Sequence, residues 1–147
     1  MKRYLCVLLF LAFVFGIMSF NTEVCAKELQ EYTAHISDPE FQAIVEESMG
    51  EIISTRANSR SFSTRVIAGA RYTSSYFEVS AGDYITVIAT LSASGKVGII
   101  SSSGSVRYVQ GTNINHAFKI NTTDYYCVFI QNLNSTSITA SGSYAWN

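Results

Sequence analysis

Residues 124–144 constrain the fold more than any other part of the chain. Residues 125–130 form a run of aromatic and β-branched side chains interrupted by Cys127, and such side chains favour strands. The sequence NLNS at 132–135 then supplies turn residues. Over residues 136–141, apolar and hydroxyl side chains alternate with the period of a strand that has one face in water. A hairpin this apolar needs further strands beside it and a second layer beneath it.

The chain before this hairpin supplies more strands, at short intervals and with turn residues between them. The candidates are residues 65–68, 72–79, 84–91, 96–101, 105–109 and 115–120, with chain-reversing turns expected at residues 94–95, 103–104 and 111–113. In residues 84–91 the aliphatic side chains alternate, which places Tyr84 on the outer face. The same alternation predicts that Tyr108 faces inward and Arg107 faces out. About eight short strands separated by turns predict an antiparallel, jelly-roll-like β-sandwich.

The N-terminus has the pattern of an export signal. Lys2 and Arg3 precede an apolar run at residues 4–20, and Val24-Cys25-Ala26 offers the residues that a signal peptidase reads. We expect residues 1–26 to be a signal peptide that is cleaved after Ala26, and the mature protein to be secreted and extracellular. The alternative is a retained membrane anchor, for which the run is at the short limit. Membrane contact is expected only through this segment, if it is uncleaved.

Residues 27–58 form an N-terminal segment with its own pattern. Ser37 and Glu40 have capping-box spacing, and Pro39 suits a first helical turn. Apolar residues then recur at helical spacing, which predicts an amphipathic helix over about residues 38–55. Its apolar stripe packs against this chain's own sheet or against a partner. A serine-rich linker follows, so the β-sandwich domain is expected at residues 59–147.

Charge differs between the two parts of the mature chain. Residues 27–56 hold two basic and seven acidic side chains, whereas residues 57–147 hold six basic and three acidic ones. Two solvated surfaces are the interpretation that we favour, and docking of the acidic segment on the basic domain is the alternative. Neither part has the clustered lysine and arginine of a nucleic-acid interface, so no nucleic-acid partner is expected.

No catalytic or metal-binding pattern stands out. Cys127 and His116 are the types of residue that form a nucleophile and its base, but a lone cysteine in an apolar strand is most often a packing residue. A metal site needs three or four convergent ligands, and the acidic residues of the sheet region are scattered. We therefore expect no catalytic residues, no metal and no cofactor, and a protein that is not an enzyme.

The tyrosines of the sheet region lie among serine, threonine and asparagine, a composition typical of recognition surfaces. The alternative is that their rings are buried in strands and only the hydroxyls reach water. The phase of the strands predicts a partly exposed aromatic surface that includes Tyr84, Tyr125 and Trp146. We expect this surface to bind an extracellular glycan or a surface protein. The other functional class is a structural or self-associating cell-envelope protein; the oligomeric state is unknown.

Three short patterns carry a resemblance to a known family. They are FEVSAGDYITV at residues 77–87, DYYCV at 124–128 and SGSY at 141–144. Together they resemble bacterial pre-peptidase C-terminal domains, which are small jelly-roll-like sandwiches. The chain is similar also to small stand-alone secreted proteins of Gram-positive bacteria. The resemblance implies the same β-sandwich fold. Some relatives hold calcium through clustered carboxylates, which this sheet region lacks, so that site is not expected here.

Overall fold

The computed structural model describes residues 29–42, 45–49, 51–53 and 58–147. The predicted signal peptide at residues 1–26 lies outside this part of the chain. The described residues form ten strands and one helical turn, so the expectation of a mainly β protein is confirmed, and the jelly-roll description stays a prediction. The elements are β1 Tyr32–His35, α1 Pro39–Gln42, β2 Val45–Ser48, β3 Glu51–Ile53, β4 Ser59–Val66, β5 Ala70–Thr73, β6 Phe77–Val79, β7 Tyr84–Ser101, β8 Ser105–Lys119, β9 Asp124–Asn132 and β10 Ile138–Trp146. None of the helical structure in these ranges is long and apolar enough to span a membrane.

The strands β7 and β8 are long and bent, and they organise the sheet. They pair with each other along almost their whole length, with a register shift between Thr90 and Gly95. The sequence predicted chain-reversing turns near residues 94–95 and 111–113. Those predictions are wrong, because the small residues there allow two paired strands to bend together. The predicted turn at Ser103-Gly104 is present, with Gly104 at a positive φ of 88°.

The bend divides the paired strands into two layers. The first layer contains β3, β4, β10 and the halves of β7 and β8 at residues 84–91 and 113–119. The second layer contains β1, β2, β5, β6, β9 and the other halves of β7 and β8. Because β7 and β8 belong to both layers, the layers cannot separate without breaking those two strands.

The main core lies between the layers. In β7 the predicted inward side chains are all buried there: Ile85, Val87, Ala89 and Leu91. A second apolar cluster covers the opposite, outer face of the second layer. It consists of Phe41, Ile100, Val106, Tyr108, Cys127 and Phe129. The second layer is therefore buried on both faces, like the central sheet of a three-layer protein.

Because the second layer is buried on both faces, the prediction of which β8 side chains face the main core was wrong. Tyr108 is buried, but in the outer cluster rather than in the main core. Arg107 faces the interior instead, opposite Ile99 in the ladder and with its guanidinium above the Phe118 ring. In a strand that is buried on both faces, alternation of apolar and polar residues no longer marks which face is inward.

The predicted helix over residues 38–55 is wrong. The helix ends at Gln42 after one turn, and β2 and β3 follow in the same segment. The strand β2 pairs in parallel with β5, and β3 pairs antiparallel with β4. Helix propensity is weak and is outweighed by the backbone hydrogen bonds that the segment can form with two unpaired sheet edges. The β-branched residues of this segment also favour a strand.

The described residues 29–42 and 45–49, which we call the strap, add β1 and β2 to the second layer and place Phe41 on its outer face. Three ion pairs join the strap to the sheet: Glu31–Arg107, Glu40–Lys96 and Glu46–Arg71. The alternative interpretation of the charge pattern, in which the acidic segment docks on the basic domain, is the one that the structure shows. The boundary between residues 58 and 59 as the limit of an independently folding domain stays a prediction.

Candidate functional site

The three aromatic residues predicted to form one surface lie in three different places. Tyr84 and Tyr125 are 41% and 53% exposed, as the strand phase predicted. Tyr84 lies on the outer face of the first layer, and Tyr125 lies on the outer face of the second, because each is next in sequence to a core residue. Trp146 faces inward, opposite Ile85. The single surface predicted from the sequence is therefore not formed.

Trp146 is instead a packing residue at one end of the sandwich. Its ring stacks on Phe77 with centroids 4.1 Å apart, and Phe77 stacks in turn on the buried Tyr144 at 5.5 Å. The Arg60 guanidinium lies above the Trp146 ring at 5.3 Å. With Phe77 stacked on it and Arg60 in contact with it, this ring is placed to close the end of the core.

A different polar groove lies at the corner where β7 and β8 bend. It has a volume of about 670 Å³. The strap contributes Leu29, Gln30 and Tyr32, and the bend contributes Ser94, Gln110, Gly111, Thr112 and Asn113. None of these side chains carries a charge at neutral pH. The groove thus presents amides, hydroxyls and one aromatic ring.

Tyr32 is the aromatic residue that lines the groove. Its ring stacks on Tyr108 with centroids 5.2 Å apart and planes inclined by 19°, yet the residue is 40% exposed. The ring is thus fixed by stacking while a large part of the residue stays accessible to a ligand. A ring held in this way loses little conformational entropy on binding.

Tyr108 holds Tyr32 in place because it is itself fixed from below and from the side. Gly98 lies opposite it in the ladder, and a Cβ on Gly98 would come within 2.7 Å of the Tyr108 Cα and Cβ atoms. Phe41 meets the Tyr108 ring edge-on at 5.8 Å. The Lys96 ammonium lies 4.6 Å from the centre of the same ring. The position of Tyr32 therefore depends on residues buried beneath the strap.

The rim of the groove carries the hydrogen-bonding groups. Gln30, Gln110, Thr112 and Asn113 are exposed, and each amide offers both a donor and an acceptor. The backbone at Ser94 is fixed from the other side, because the Asn134 amide donates to the Ser94 carbonyl at 2.8 Å. Rigid backbone under mobile polar side chains is a common arrangement in ligand sites.

Two buried cationic side chains of the second layer form ion pairs with acidic residues of the strap. Lys96 is 6% exposed and pairs with Glu40 at 2.5 Å, while its ammonium lies 4.8 Å from the Phe41 ring. Arg71 is 1% exposed and pairs with Glu46. Removing one partner of such a pair leaves a buried charge uncompensated, which is strongly destabilising. The strap is therefore an integral part of the fold at these two points.

A third polar cluster lies beside the groove-lining part of the strap. The Glu31 carboxylate accepts hydrogen bonds from Arg107 Nε at 2.6 Å and from His116 Nε2 at 2.8 Å. Partial burial raises the pKa of Glu31, but the two hydrogen bonds outweigh it, so the net pKa is lowered. Glu31 is ionised at neutral pH and anchors the strap just before Tyr32.

The residues considered for nucleophilic chemistry are not arranged for it. His116 is paired with Glu31, whereas Cys127 lies in the outer cluster of the other layer. Burial raises the pKa of the Cys127 thiol to about 11, and a protonated thiol is a poor nucleophile. In the described ranges, no group of three or more histidine, cysteine or acidic residues could hold a metal ion.

The groove could not be recognised from the sequence, because its residues come from separate segments. Tyr32 lies in a stretch without clear periodicity, and residues 111–113 were predicted to form a turn between two strands. The one available signal was the concentration of amide and hydroxyl residues at 110–113. The pairing of β1 with β8 brings these segments together.

Comparisons with known proteins identify no family. No family model and no curated protein matches the chain, so the resemblance to pre-peptidase C-terminal domains stays a prediction. Among solved structures, the chain is similar to the periplasmic lysozyme inhibitor PliG of Aeromonas hydrophila, with 8% identity, a TM-score of 0.46, and coverage of 71% of this chain and 100% of that one. A PliG mutant from Escherichia coli gives 8% identity, a TM-score of 0.47, and coverage of 70% and 99%.

A carbohydrate-binding module, CBM36 in complex with calcium and xylotriose, is also similar, with 15% identity and a TM-score of 0.30 over 82% of this chain and 94% of that one. All three TM-scores are below 0.5. These similarities therefore assign neither a family nor a ligand to this chain.

Proposed function

We propose that this protein is a secreted, non-enzymatic binding protein whose ligand is a neutral glycan held in the groove at Tyr32. The observation that carries the proposal is the combination of one half-exposed, rigidly stacked ring with uncharged amides and hydroxyls around it. A pyranose ring presents apolar C–H groups on its faces and hydroxyls at its edge. The groove offers a complementary aromatic face and a polar rim.

Two features of the described lining residues favour a neutral glycan over an acidic sugar or a protein partner: none of these residues is charged, and one of them is aromatic. A site for acidic sugars would place arginine or lysine at the ligand. A protein interface commonly buries a larger apolar centre with several anchoring side chains. Among the described lining residues the groove has one exposed ring, so its polar rim must supply most of the contacts.

The test is binding to an array of neutral oligosaccharides (cello-, xylo- and chito-oligosaccharides) with oligogalacturonates as the acidic comparison. We expect binding to neutral members only. Tyr32→Ala should weaken it at least about tenfold, which corresponds to about 1.4 kcal/mol, and Tyr32→Phe should retain it because the ring remains. Tyr125→Ala is the matched control, since it removes a ring of greater exposure on another part of the surface.

Three results would contradict the proposal. One is preference for the oligogalacturonates, and another is equal binding by wild type and Tyr32→Ala. The third is weaker binding by Tyr125→Ala but not by Tyr32→Ala. Thermal melting should show that Tyr32→Ala remains folded, with a loss of about 1 kcal/mol for the stacked pair.

A further inference from the structure

The outer face of the first layer consists mostly of small, uncharged side chains. Residues at alternate positions of four adjacent strands form it, and cross-strand pairing places them in rows. In β7 and β8 they are Thr86, Ile88 and Thr90 with Asn113, Asn115 and Ala117; in β10 and β4 they are Ser141, Ser143 and Ala145 with Ser59, Ser61 and Ser63. Each is exposed or half-buried.

This face continues directly from the groove. Asn113 lines the groove and also lies opposite Thr90 in the first layer. From Asn113 the strand runs to Lys119, a length of about 20 Å at the usual rise per residue. Tyr84 lies opposite Lys119 at the far end and is 41% exposed. A second aromatic ring is thus available about 20 Å from the groove along the same face.

The charge on this face lies at its margins. Among the described residues of the four strands, the charged side chains on this face are Arg65, opposite Thr139, and Lys119, opposite Tyr84. In these four strands, hydroxyls, amides and methyl groups lie between them, with Ile88 as the one large apolar side chain; in the neighbouring β3, Ile52 lies opposite Ser61 in the ladder. Such a face has no cationic rows for an acidic polymer and little apolar area for a protein partner.

We propose that the ligand is a neutral polysaccharide chain, which extends from the groove across the outer face of the first layer to Tyr84. This inference rests on the proposed function and deepens it, because it assigns a polymer rather than a short oligosaccharide or a chain terminus. Three observations favour a polymer: the face is continuous with the groove, its centre has no charged side chain in the four strands, and Tyr84 provides a second exposed ring. Tyr84 and Ile88 become binding residues for the polymer alone.

The test compares a short neutral oligosaccharide with longer members of the same series, using the saccharide class that the array selects. Affinity should rise at least fivefold from the short oligosaccharide to a chain that spans 20 Å. Tyr84→Ala and Ile88→Ser should each lower binding of the long chain at least threefold and leave binding of the short one within twofold. Tyr125→Ala should alter neither.

The outcomes separate this inference from the function on which it rests. If the short oligosaccharide binds through Tyr32 but affinity does not rise with length, the polymer inference is wrong and the proposed function stands. If no neutral saccharide of any length binds, both are wrong. Sedimentation equilibrium showing a dimer that Ile88→Lys dissociates would also overturn the inference, because a second copy would then cover this face.

Discussion

Replacing Phe41 by alanine should strongly destabilise the protein. Phe41 is 2% exposed and meets Tyr108 and Phe129 edge-on at 5.8 and 6.1 Å. The Lys96 ammonium lies 4.8 Å from its ring. The paired strands beneath it have little freedom to close the space that the ring leaves. We therefore expect the free energy of unfolding to fall by about 3–5 kcal/mol.

The assay is urea unfolding followed by the fluorescence of Trp146, the one tryptophan of the chain. Leu133→Ala is the matched control, because Leu133 is an exposed apolar residue; its effect should stay within about 0.5 kcal/mol. Since Tyr108 loses its edge contact, Phe41→Ala should also weaken ligand binding at Tyr32. A loss of less than about 1 kcal/mol would show that Phe41 is not a core residue. An unchanged unfolding curve from Trp146 fluorescence, with faster amide exchange in the strap alone, would show that the strap unfolds separately.

Two further predictions concern titratable groups. The pKa of Glu31 is lowered from 4.5 in the folded state, so the unfolded state binds more protons in acid. The contribution of Glu31 to the free energy of unfolding is therefore complete above pH 4.5 and is lost as the pH falls below that value. Glu31→Gln should therefore reduce the acid-dependent loss seen in denaturant titrations at several pH values, and a slope identical to wild type would contradict the role of this cluster. Cys127 should react with iodoacetamide only slowly at pH 8, because burial raises its pKa to about 11, and rapidly in urea; fast alkylation of the native protein, measured by intact mass, would show that it is accessible.

The sequence predicted those parts of the fold in which one face of a strand is wet. Residues 84–91 alternate clearly, so the inward set from Ile85 to Leu91 and the exposure of Tyr84 were both correct. Where both faces are buried, as around Tyr108, the alternation disappears and the phase was assigned wrongly. The exposure of Tyr125 was correct, but exposure alone did not show that it lies on the other layer from Tyr84.

The strap and the groove depend on contacts between distant segments. The apolar spacing from Phe41 onward fits a helix, and only the unpaired edges of β4 and β5 explain why strands form instead. The groove needs β1 beside β8 and a bend shared by β7 and β8. No local pattern records either arrangement, so Tyr32 could not be recognised as a site residue before the fold was known.

The place on the protein where a neutral oligosaccharide binds decides whether the groove at Tyr32 is the ligand site. Amide chemical shifts of the ¹⁵N-labelled protein would be followed by NMR during titration with the oligosaccharide that binds best on the array. We expect the largest chemical-shift changes at Gln30, Tyr32 and residues 110–113, and these changes should all fit one dissociation constant. Shifts centred on Tyr125, or at the end of the sandwich around Phe77 and Trp146, would contradict this expectation.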